Sequence, residues 1–262
     1  MAGQPGLGRV VKHETFYRPL WESFARAGYA SLSFSKPGVA GSEGDWLEQS
    51  MADRARETLA AVAWARGRTD IDGRRIGLWG ASVIAVAPAV NWLRQGRYDL
   101  LTQLRRDGAG PRETARALRR SETTLALLRR GASYDEYRAT LGRDADMTRR
   151  RWRFATRNYT ADAVADLRAM RGTPVLLVLA GHDVHVDAAE TETVYRGVLP
   201  SSTLEVAHYP GAAHSLVDHD LESREPLLTA TAILLPRRLY TDGFLADQAR
   251  YVRRFDSGSG TR

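Results

Sequence analysis

The run Thr173–Ala180, TPVLLVLA, carries six aliphatic residues in a row after its proline. A strand with one solvated face alternates between apolar and polar residues, whereas one buried on both faces does not. This run is therefore predicted to be an inner strand of a parallel sheet. Parallel sheets need crossover connections and layers of helix on their faces, which places the chain in the α/β class.

Other segments fit that reading. Gly28–Phe34, GYASLSF, alternates between a glycine and a proline turn and is predicted as a strand. Arg75–Trp79 and Thr203–His208 are further strands. Asp53–Arg66 places Leu59, Val62 and Ala63 on one side of a helix. Asp162–Met170 and Glu190–Val198 are shorter helices, and a helical region from Leu227 to Phe255 is broken near Pro236. Arg94 to Asn158 is helical and reads as an inserted cap. The expected division is residues 1–90 and 159–262 as two parts of one core, with 91–158 as the cap.

At 262 residues the chain is long enough for one large domain, or one domain plus a cap. It has no cysteine, which removes disulfides, thiolate nucleophiles and cysteine metal sites. The start, MAGQPGLGRVVKHETFY, shows no secretory apolar core, and no apolar run reaches the ~18 residues of a membrane span. A cytoplasmic location without membrane partners is the expectation. The net charge of +7 is concentrated between Arg94 and Arg157, where 17 arginines face eight acidic residues. Arginines interleaved with leucine and alanine describe the solvated face of amphipathic helices. An anionic substrate or partner is the alternative. No stacking-aromatic pattern supports nucleic acid.

Three short stretches could carry chemistry. Gly80-Ala81-Ser82 directly follows an apolar strand. A serine on such a turn can serve as a nucleophile, with the next backbone N–H helping to hold an oxyanion. In LAGHDVHVD, Asp183 stands just past a strand, where catalytic groups collect in open α/β sheets. In HYPGAAHSL, His214 follows a strand and a Pro-Gly turn. Each has an ordinary reading too: the serine as a turn or cap residue, the aspartate as a loop cap, the histidine as a surface residue. Together and in this order they describe a nucleophile, a base that takes its proton, and a carboxylate that fixes the base's tautomer. His182, His185 and Asp187 invite a metal reading, but no established metal-ligand spacing is present and none is expected to bind metal.

These pieces resemble a bacterial α/β-hydrolase of the acyl-hydrolase, dipeptidyl-aminopeptidase-like group. The matching stretches are FYRPLWESFARAGYASLSFSKPGVAGSEGDW, DIDGRRIGLWGAS, TPVLLVLAGHDVHVD and YPGAAHSL. The resemblance implies a doubly wound, mostly parallel sheet with a helical cap. It implies a serine hydrolase that cleaves a carboxylic ester or related acyl compound, with Ser82, Asp183 and His214 as its triad. The backbone N–H groups of Gln4 and Val83 would form the oxyanion hole. No cofactor is implied, and the partner would be a small acyl substrate, anionic if the basic cap selects it.

The chain departs from the family in three places. Ala2-Gly3-Gln4 stands where the family has His-Gly-x, so the strands that precede that loop are expected to be missing. Ser35 replaces a common aspartate. After Ser82 the family runs Gly-Gly into a helix, whereas here Val83-Ile84-Ala85 follow and Pro88 would interrupt the helix. Val83 onward resembles the family's next strand, so the nucleophile helix is expected to be missing. A non-catalytic relative acting as a binding or structural protein is the alternative function.

Overall fold

In the computed structural model, residues 13–80 and 84–255 are described. In chain order they form α1 (His13–Arg26), α2 (Met51–Arg66), β1 (Trp79–Gly80) and β2 (Ile84–Val86). Four helices follow: α3 (Trp92–Arg106), α4 (Pro111–Arg129), α5 (Tyr134–Leu141) and α6 (Arg149–Asn158). Then come α7 (Val164–Ala169), β3 (Val175–His182), α8 (Ala188–Val198) and β4 (Leu204–Ala213). The described chain closes with α9 (His219–Glu222), α10 (Glu225–Leu234) and α11 (Phe244–Arg253). The chain divides into two compact units, one of residues 1–33, 77–90 and 164–262, the other of residues 34–76 and 91–163. No helix among the described residues is long and apolar enough to cross a membrane.

The first unit holds a parallel sheet in the order β1-β2-β3-β4. β3 is its centre: Val175 to Ala180 are all buried, as the unbroken aliphatic run predicts. Successive side chains point to opposite faces. Leu176, Val178 and Ala180 share one cluster with Leu20 and Phe24 of α1, Ile84 of β2, Tyr209 of β4 and Phe244 of α11. Two aromatic hydroxyls in this layer bond to distant backbone. The Tyr240 hydroxyl donates to the Phe16 carbonyl (2.6 Å) and the Tyr29 hydroxyl to that of Val252 (3.0 Å). The sheet is small, yet a mixed α/β unit with parallel strands is compatible with the α/β-hydrolase fold.

Two strand expectations change. Residues 29–36 form no strand, and Leu32 and Phe34 are exposed. Alternation makes a strand only where a neighbour offers ladder partners, and no described strand pairs with this segment. Of the strand expected at Arg75–Trp79, only Trp79 is in β1. β1 and β2 pair as Trp79 with Ile84 and Gly80 with Ala85, and Ile84 N–H donates to the Leu78 carbonyl (3.0 Å). Three residues join these strands, whereas a parallel crossover ordinarily takes about a dozen. There is no length for a crossover helix between them.

The second unit is built from helices. α2 starts with a capping box in which Ser50 and Asp53 satisfy each other's backbone N–H groups. Tyr137 is fully buried, stacked on Trp152 with ring centroids 4.4 Å apart. Its hydroxyl meets an Asp146 carboxylate oxygen and the N–H groups of Asp146 and Met147, all within 3.1 Å. Buried Asn158 accepts from Met51 N–H (2.8 Å) and donates to the Gln49 carbonyl (3.1 Å), which fixes α6 to the start of α2. Part of the basic block pairs with nearby acids at the surface: Arg150 with Asp45 and Arg157 with Glu48. The Arg150 hydrogen bond, followed by the Leu47 N–H, holds the Asp45 carboxyl below the usual carboxylate range.

Candidate active site

The carboxyl end of β3 meets that of β4 because of one glycine. A Cβ on Gly181 would lie 2.4 Å from the Pro210 carbonyl oxygen and 2.7 Å from its Cα. Only glycine permits that approach. The register shifts at this point, so that His182 pairs with Ala213 where Ala180 pairs with Tyr209. The irregularity brings the loop after β3 beside the loop after β4, as bulges near sites often do.

Asp183 follows at once. Its side chain is buried, and Oδ1 accepts the backbone N–H groups of His185 and Val186, each at 2.8 Å. The other oxygen, Oδ2, lies 2.8 Å from His214 Nδ1. An ionised carboxylate can only accept, so this bond assigns the proton to Nδ1 and leaves Nε2 as the basic nitrogen. His214 remains partly open to solvent, while Asp183 beneath it is covered. The histidine is presented by a tight turn in which Leu216 takes a left-handed backbone (φ 60°) with its side chain fully buried. A branched residue in that region costs about 1–2 kcal/mol and persists only where its surroundings impose it.

Two further ring contacts bind these loops. His182 stacks on His219 at the start of α9, centroids 4.1 Å apart and planes 8° apart. His185 meets the His214 ring edge to face at 5.2 Å. Ser215 donates to Glu222 (2.9 Å), a second tie from the histidine turn to α9. Asp187 caps α8 by accepting Glu190 N–H. His182, His185 and Asp187 thus face separate partners, and among the described residues no group of three or more such side chains could hold a metal ion.

Of the residues expected from sequence, the structure brings Asp183 and His214 together. Ser82, Val83 and Gln4 lie outside the described residues. Sequence reasoning did not single out Gly181, Leu216 or the His182–His219 stack. Gly181 had a local signal, a glycine two residues before the acid at the end of the strand. The other two depend on contacts between separate segments.

Comparison with known proteins adds a partial match. Residues 7–97 match the X-Pro dipeptidyl-peptidase (S15) family, a serine peptidase family in the α/β-hydrolase fold. The matched stretch contains Ser82, and neither Asp183 nor His214. Two Escherichia coli proteins, each described as an uncharacterized 31.7 kDa protein in the traX-finO intergenic region, are 33% identical over 61 residues. That alignment spans 23% of this chain and only 21% of each relative's length. No solved structure matches the chain. The family match supports the α/β-hydrolase superfamily for this chain and suggests hydrolase activity.

Proposed function

We propose that the chain is a serine hydrolase that cleaves a carboxylic ester or related acyl substrate through Ser82, His214 and Asp183. The observation that carries this reading is the Asp183–His214 bond at the carboxyl ends of β3 and β4. In sequence Ser82 comes two residues after Gly80, the last residue of β1, a strand that runs parallel to β2, as β3 and β4 do.

In this mechanism Ser82 Oγ attacks the substrate carbonyl and its proton passes to His214 Nε2. The N–H groups of Gln4 and Val83 hold the oxyanion. Collapse expels the leaving group, which takes the proton from His214. Water then attacks the acyl-enzyme and gives a proton to the same nitrogen; collapse releases the acid as Ser82 Oγ takes that proton back, which restores neutral His214. Asp183 stays ionised and stabilises the imidazolium. The basic stretch Arg94–Arg157 favours anionic acyl substrates over neutral ones. The S15 match raises the amide bond after a proline as an alternative target.

A second reading has its own support. Three residues between β1 and β2 leave no room for the helix that normally backs a nucleophilic serine. A non-catalytic relative that binds without turnover would have this feature. One experiment separates the readings: hydrolysis of a short p-nitrophenyl ester and an X-Pro p-nitroanilide, with fluorophosphonate labelling mapped by mass spectrometry. The catalytic reading expects labelling at Ser82 and loss of turnover in Ser82→Ala. Equal rates for wild type and Ser82→Ala, or a label elsewhere, would sink it.

A further inference from the structure

α10 is apolar almost all the way round. Its sequence, EPLLTATAIL, has one charge, Glu225 in the first turn. Leu228 and Ala232, one turn apart, are buried. On the opposite arc Leu227 is 48% exposed, Ile233 71% and Leu234 74%, with Leu235 at 52% just beyond the helix. Pro226 and Ala230 are exposed on the same side. With 3.6 residues per turn, these five helical positions occupy a single arc of about 120°. A helix that is apolar all round is ordinarily a buried helix. Trp64 on α2 is also exposed, but the Arg68 guanidinium sits 5.0 Å over its ring. Among the described residues no such cation cover is found on the outer arc of α10, whose apolar side chains remain exposed.

We propose that this arc is the interface through which two copies of the chain associate, α10 packing antiparallel on α10 of the other copy about a two-fold axis near Ala230. The charges at its ends select that arrangement. In sequence Asp220, Glu222 and Glu225 stand at or just before the start of α10, with Arg224 among them, while Arg237 and Arg238 stand just past its end. Antiparallel packing lays the acidic end of each helix on the basic end of the other and opposes the two helix dipoles. Parallel packing would set like charges together. Arg237 reaches its own chain's Glu22 only at 3.4 Å and stays half exposed, open to a carboxylate of the second copy.

The stripe is also self-complementary. An axis near Ala230 sets Leu227 opposite Leu234 in both directions, as a two-fold interface requires. The small Ala230 side chain at the centre lets the helix axes approach to the close end of the usual 8–10 Å. The inference is independent of the catalytic reading.

The absence of cysteine makes a clean test. Ala230→Cys adds one thiol beside the predicted axis, within disulfide reach of its copy. Ser201→Cys, on the exposed turn before β4, serves as the control. Wild type is expected at twice the 29.1 kDa chain mass by light scattering. Mild oxidation should link Ala230→Cys at least about tenfold faster than Ser201→Cys. Leu234→Glu should give a folded monomer. Arg238→Glu should weaken association, and adding Glu225→Arg should restore it. A monomeric wild type, a dimer that persists in Leu234→Glu, or equal linking at both cysteines would each overturn the proposal.

Discussion

At one side of the sheet β3 and β4 pair through seven positions, and at the other β1 and β2 pair through two. The long pairing ends in a buried carboxylate bonded to a histidine, with two ring contacts and a backbone-to-backbone approach holding their loops. The short pairing leads to the serine through a connection of three residues. The difference separates two ways of positioning a side chain at the end of a strand. Asp183 and His214 are placed by long-range strand pairing, so they survive local irregularity. A serine nucleophile, as proposed for Ser82, would depend on its own turn and on a helix behind it, and the three residues between β1 and β2 are too few to form such a helix.

The largest expected effect tests the long pairing. Gly181→Ala would drive a methyl group into the Pro210 backbone, where no flexible side chain can yield. We expect destabilisation of about 3 kcal/mol or more, or failure to fold. At the other end of the sheet, Gly77 has nothing within 4 Å of an added Cβ, and Gly77→Ala should change stability by no more than about 0.5 kcal/mol. Urea midpoints for the two variants make the comparison. Similar midpoints would show that the close approach of β3 and β4 does not organise the site.

What could be read from sequence follows the same division. β3 was legible because burial on both faces leaves an unbroken aliphatic run; the placing of Asp183 and His214 just past strand ends was legible from the runs that precede them, and their hydrogen bond was not, because it depends on the pairing of β3 with β4. The pairing of Gly181 with Pro210 was not, since a glycine's necessity depends on what approaches it from 29 residues away. Gly28–Phe34 had the right alternation, but a strand is a relation between segments and its partner is not among the described strands. Tyr137 gave no sign of its role, because the groups that meet its hydroxyl come together only once the loop before α6 closes over it.

Asp183 separates stability from catalysis. Asp183→Ala strands the His185 and Val186 N–H groups in a covered site and should cost about 2–3 kcal/mol. Asp183→Asn keeps an acceptor but can impose the wrong imidazole tautomer, and should lower any esterase kcat by about 10⁴. Thermal melts and ester turnover on the two variants read these effects apart. Full activity in Asp183→Asn would mean that His214 is not held by this bond during reaction.

The smallest effect probes the short end. Trp79 of β1 donates its indole N–H to Oε1 of Gln248 on α11 (3.2 Å), and Gln248 is fully buried. Trp79→Phe leaves that oxygen without its donor in an apolar layer, at a cost of about 1–2 kcal/mol. If the missing hydrogen bond is the cause, replacing the acceptor as well should recover much of the loss, because an apolar pair leaves nothing unsatisfied. A double-mutant cycle with Gln248→Leu measures this coupling. Strictly additive losses would show that β1 is anchored by ring packing against Tyr17 (centroids 5.9 Å apart) rather than by the indole N–H. The short strand would then be held by its pairing with β2 and by the Tyr17 ring of α1.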